Sequence, residues 1–92
     1  MNPVLRRESR REPRRSAQGE VVIKLSVPQT LEIRGSLVNI SASGFRMAHG
    51  YRALESGQTV EFTHVEASGS ARVVWNRVFG ERVETGFLVL PI

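Results

Sequence analysis

Ninety-two residues, 40% hydrophobic and 24% charged, suit one globular domain and exclude a collagen-like or wholly disordered chain. The absence of cysteine excludes a disulfide, a thiolate nucleophile and a Cys-type zinc site, and no apolar run approaches the ~18 residues of a membrane span. The net charge of +4 is confined to residues 1–15, which carry six arginines against Glu8 and Glu12, while residues 16–92 hold seven basic and seven acidic groups.

Residues 1–15 contain little apolar matter beyond Val4 and Leu5, so alone they bury too little surface to offset their ordering entropy. Pro13 interrupts any helix through them. A flexible basic arm is expected. The arginines resemble the start of a signal peptide, but the polar Ser16–Glu20 follows where an apolar segment would be needed, so a soluble cytoplasmic protein is expected.

From Glu20 onward the apolar period is two. Val21, Ile23, Leu25 and Val27 define a half-buried strand, ended by Pro28-Gln29. Leu31, Ile33, Gly35 and Leu37 define a second. Its phase slips at Leu37-Val38, as a β-bulge or strand end would cause. Asn39 to Ser43 reads as a polar turn. Phe45 and Met47 begin a third strand, and residues 49–58 form a loop. Val60 and Phe62 carry a fourth strand, Ala71, Val73 and Trp75 a fifth, and Val83, Thr85, Phe87 and Val89 a sixth. Loops are expected around Ala67–Gly69 and Phe79-Gly80. Six short strands with turn signals between them make the domain, residues 16–92, all-β, and closure into an antiparallel barrel removes its exposed edges.

Two constellations carry chemistry. In the arm, Arg6-Arg7, Arg10-Arg11 and Arg14-Arg15 recur every four residues, with no lysine among them. Guanidinium offers bidentate phosphate contacts and a flat stacking face. The arm also runs directly into the first strand, so Arg14 and Arg15 must lie against the barrel. The second constellation is Asn39-Ile40-Ser41-Ala42-Ser43-Gly44. As plain structure it is a turn, with Gly supplying positive φ. As a site it offers amide, hydroxyl and bare backbone to a purine edge, with Gly44 admitting close approach.

Together these residues resemble the PilZ domain, a bacterial receptor module for cyclic di-GMP. That family carries Arg-x-x-x-Arg before its first strand and Asp/Asn-x-Ser-x-x-Gly about two strands later. Arg10-Arg11-Glu12-Pro13-Arg14 and Asn39–Gly44 match in order and spacing. Ala71-Arg72-Val73-Val74-Trp75 and Glu84-Thr85-Gly86-Phe87 look like its closing strand pair. Arg7/Arg11 and Arg11/Arg15 also satisfy the arginine spacing; the Glu-Pro between Arg11 and Arg14 favours Arg10/Arg14, with Arg11 joining them.

The resemblance implies a six-stranded antiparallel barrel and a nucleotide held by Arg10, Arg11, Arg14, Asn39, Ser41 and Gly44. Cyclic di-GMP would be ligand rather than cofactor, and a downstream protein partner is implied. Many relatives carry a helix after the last strand; none is expected here up to Ile92. Ordering of the arm on binding would supply a switch. No nucleophile–base pair or carboxylate constellation suggests catalysis, so a non-enzymatic receptor is expected, without metal and without membrane insertion.

Two other functions compete. One is a small barrel that binds nucleic acid through the arm, disfavoured by the neutrality of residues 16–92 and the lack of an aromatic stripe. The other is a degenerate PilZ-like domain used only for protein contacts. Trp75, in phase with Ala71 and Val73, reads as a core or barrel-end residue and His64 as a half-buried strand residue. Arg46, just after the turn on the polar phase, is within reach of the nucleotide but reads first as a solvated strand residue.

Overall fold

The computed structural model describes residues 13–27 and 29–91. Seven strands are formed: β1 (Arg15–Ser16), β2 (Glu20–Leu25), β3 (Leu31–Ile40), β4 (Gly44–His49), β5 (Thr59–His64), β6 (Ala67–Phe79) and β7 (Arg82–Val89). There is no helix among the described residues, and so none that could cross a membrane. All pairings are antiparallel. The order β3-β2-β5-β6-β7-β4, with β4 returning to β3, closes a six-stranded barrel. β1 stands outside the ring, where Arg15 pairs with Ile40 and Ser16 with Asn39.

The period-two pattern explains the barrel's interior. Val21, Ile23 and Leu25 of β2 point inward with Ile33, Leu37 and Ile40 of β3 and Phe45 and Met47 of β4. Val60 and Phe62 of β5, Ala71 and Val73 of β6 and Phe87 of β7 complete the cluster, and Leu54 pins the β4–β5 loop to it. Phe45 is central: its ring centroid lies 4.8 Å from those of Phe62 and Phe87, stacked on the latter. Each such burial contributes roughly 1.5–3 kcal/mol, which lets a chain without disulfides hold its own core.

Two bulges re-aim side chains. In β3 the register shifts between Leu37 and Asn39, so Val38 is the extra residue, as the phase slip in the sequence implied. In β6 it shifts between Val73 and Trp75. Val74 is the extra residue there, and everything after it changes face.

Several boundaries differ from the expected ones. Asn39 and Ile40 belong to β3, and the turn is only residues 41–43. Ala67–Gly69 opens β6 instead of forming a loop, because Val65-Glu66 alone make the turn. Phe79 pairs with Arg82, leaving Gly80-Glu81 as the tip, with Gly80 at φ 63°. His49 ends β4. Arg15 opens β1, one residue inside the segment expected as arm.

The barrel end beneath the β4–β5 loop is polar. His49 Nδ1 accepts the Tyr51 amide at 3.0 Å, so its proton belongs on Nε2, which donates to Thr85 Oγ1 at 2.6 Å. Thr85 in turn donates to Asn76 Oδ1, and the Asn76 amide donates to the Arg52 carbonyl. Burial lowers the pKa of His49. His64 repeats the device: its Nδ1 accepts the Glu66 amide at 3.1 Å, its ring meets Phe45 edge-on, and burial lowers its pKa.

Candidate functional site

The site assembles on the outer face of the barrel, along one line of paired residues. Ser16 pairs with Asn39, Asn39 with Arg46, Arg46 with Gly86, and Gly86 with Trp75. Five strands thus contribute one row. Val38's bulge sets the phase of Asn39 in that row, and Val74's bulge sets the phase of Trp75. Without the second bulge Trp75 would continue inward after Val73. The core reading of Trp75 therefore fails: its indole lies on the outer face and lines a groove.

That groove has a volume of about 300 Å³ and is lined by Arg14, Gly44, Arg46, Trp75, Gly86 and Leu88, among others. Gly86 forms its floor. A Cβ at Gly86 would fall on the indole of Trp75, so only glycine lets the ring lie down against β7. Gly44 is required for a related reason. A Cβ there would meet the Phe87 carbonyl oxygen, so glycine permits the close approach of β4 to β7. Its φ is not positive, and the turn does not depend on left-handed backbone at that residue.

Two guanidinia lie over the indole, Arg46 at 5.0 Å and Arg77 at 4.7 Å from the ring centroid. Such cation–π contacts contribute about 0.5–1 kcal/mol at exposed sites and more when desolvated. Arg46 also reaches Glu84 at 3.8 Å, but its Nε is buried without a hydrogen-bond partner. A buried N–H without an acceptor among the described residues is costly. Arg46 is thus more than a solvated strand residue.

Arg14 enters from the arm. Its Nη1 donates to Asn39 Oδ1 at 3.0 Å, which ties the first constellation to the second. Arg14, Asn39 and Gly44 are brought together. Ser41 is tied to Gly44 itself: its amide and hydroxyl both donate to the Gly44 carbonyl, at 2.9 and 3.5 Å. Ser41 lines a second groove with Pro13, Arg15, Ile40, Ala42 and Glu66. Arg10 and Arg11 lie outside the described residues.

Arg15, next to Arg14, does something different. Its Nη2 donates to Glu66 Oε1 at 2.5 Å. That hydrogen bond raises the guanidinium pKa above its ordinary value and lowers that of the carboxyl.

The neutrality of residues 16–92 conceals an uneven distribution. The outer faces of β4, β6 and β7 carry Arg46, Arg72, Arg77 and Arg82 against Glu84. Those of β2, β3 and β5 carry Glu20, Glu32 and Glu61 against Lys24 and Arg34. The groove lies on the basic side. Trp75 and Arg77 were not legible as site residues in the sequence; the one available signal was the pair of adjacent valines, Val73-Val74, before the tryptophan.

No protein-family model matches the chain, and no curated protein matches it.

Proposed function

We propose that the chain is a PilZ-like receptor module that binds cyclic di-GMP in the groove between Arg14 and Trp75. The observation that carries this reading is the hydrogen bond from Arg14 to Asn39 beside a groove floored by Trp75 and Gly86. Cyclic di-GMP presents two flat purines and two negative charges. The groove presents an indole for stacking and guanidinia that suit phosphate or a base face, and Asn39, bonded to Arg14, adds an amide for hydrogen bonding.

The roles follow from position. Arg14 takes phosphate or a base face, and Asn39 holds a guanine or ribose edge as well as Arg14. Arg46 adds a second guanidinium at the groove wall, and Trp75 stacks on a base. Gly44 keeps β4 against β7 at the groove wall. Arg10 and Arg11 extend the arm's share, and Ser41 holds the turn. On this reading the protein is cytoplasmic, bacterial and non-enzymatic, uses no cofactor, and signals to a protein partner when the arm closes over the nucleotide.

Calorimetric titration tests the proposal. Saturable heat with cyclic di-GMP, and none with GMP at equal concentration, is the expected result. No heat at high micromolar cyclic di-GMP in moderate salt would overturn it. A second reading, nucleic-acid binding, is favoured by the basic β4–β6–β7 face with its half-buried tryptophan. It requires DNA or RNA affinity that falls steeply as salt rises.

A further inference from the structure

We propose that Glu66, in the turn between β5 and β6, is the positioning residue that aims Arg14 into the groove. The proposal rests on the cyclic di-GMP reading for its consequence, but its geometry stands apart from any ligand.

Arg14 and Arg15 are adjacent in an extended segment, so their side chains leave on opposite sides. One reaches Asn39 beside the main groove, and the other reaches Glu66 beside the second groove. Holding Arg15 on one side therefore fixes the side on which Arg14 emerges. A rotation of the segment by one residue would exchange the two.

β1 is two residues long, and the strand pairing alone is a weak restraint. The Ala17 amide donates to the Val38 carbonyl at 3.2 Å and the Leu37 amide to the Gly19 carbonyl at 2.8 Å, so the backbone path is held just after β1. The β5–β6 turn supports this path a second time. Gly19, at φ 128°, passes so close to Val65 that a Cβ would collide with its side chain. The turn itself is braced by the bond from the Glu66 amide to His64, whose ring is packed on Phe45. Glu66 thus presents its carboxylate from a fixed turn to the one residue whose direction decides that of Arg14.

Exposed pairs of this kind are weak, so removing the charge is expected to weaken cyclic di-GMP binding by no more than about fivefold. The test compares wild type, Glu66→Gln and the charge exchange Arg15→Glu with Glu66→Arg. Nuclear magnetic resonance follows the Asn39 side-chain amide, with Arg14→Ala as the reference for a lost contact. Glu66→Gln should move that signal part of the way toward its position in Arg14→Ala, and the exchange should return it. An Asn39 signal unchanged by Glu66→Gln, or not restored by the exchange, would overturn the proposal. These outcomes need no nucleotide, so they remain decisive even where wild type fails to bind cyclic di-GMP and only the functional reading falls. With nucleotide, an affinity unchanged in Glu66→Gln while the Asn39 signal moves also counts against it.

Discussion

The indole of Trp75 occupies the space that a Cβ on Gly86 would fill. The two residues are paired across β6 and β7, and the ring lies against bare backbone because of the bulge at Val74. The groove beside Arg14 depends on this one contact. If β7 carried a side chain there, the indole would have to lift, and the stacking surface offered to a ligand would move with it.

Gly86→Ala is therefore expected to disturb the site more than the fold. Forcing a methyl group into an occupied position costs about 1–3 kcal/mol. The melting temperature should fall modestly, and the emission of the only tryptophan should shift to the red as the ring is exposed. A tryptophan spectrum identical to wild type would show that the ring is not seated on Gly86.

Arg14→Ala should leave the barrel intact, since Arg14 is exposed and, among the described residues, makes a solvent-exposed hydrogen bond to Asn39. Binding of cyclic di-GMP should weaken by roughly tenfold or more, as expected for a lost hydrogen bond from a charged group. Calorimetry and circular dichroism on the same preparation check both halves. Unchanged affinity would place the arm in a different register, with Arg10 or Arg11 in the role assigned to Arg14.

Phe45→Ala should be the most damaging of these substitutions for stability. Phe45 is almost fully buried, and its ring touches Phe62, Phe87 and His64. Truncation of such a residue costs about 3–5 kcal/mol, a large share of what a domain this size possesses. Urea denaturation should show a much lower midpoint with a similar slope.

Acid should destabilise the fold through His49 and His64. Both have pKa values lowered by burial, and both accept a backbone amide at Nδ1, which protonation would forbid. A histidine whose folded pKa is depressed binds fewer protons in the native state than in the unfolded state. Stability is then complete above the unfolded pKa near 6.5 and declines as pH falls below it toward the folded pKa. Denaturant midpoints between pH 7.5 and 5 should fall in that direction. Replacing His49 with Gln, which can keep a donor and an acceptor, should flatten the slope.

The barrel was legible because six strands repeat an apolar residue at every second position. Even the bulge at Val38 announced itself, as two apolar residues in succession, Leu37 and Val38. The Arg14–Asn39 link was also foreseeable, since an arm joined directly to a barrel must place its last arginines against it. Trp75 was not. Its phase with Ala71 and Val73 points inward, and only the unpaired Val74 reverses it. Bulges are set by the register of neighbouring strands, which period-two patterns within one strand do not contain. The direction of the Ser41 side chain was not legible for a similar reason. Three residues of a tight turn face different ways, and the spacing of a motif does not say which hydroxyl the turn itself consumes. The charge of the barrel misled as well, because a zero sum over residues 16–92 hides arginines on one face and glutamates on the other.

The most direct test of the central claim is a tryptophan fluorescence titration with cyclic di-GMP, excited where guanine does not absorb. The chain has one tryptophan, so any signal comes from the groove. The account predicts a saturable change in emission whose midpoint matches calorimetry and which weakens in Arg14→Ala. Heat of binding with no change at Trp75 would place the nucleotide elsewhere on the barrel, and neither heat nor a fluorescence change would contradict the account outright.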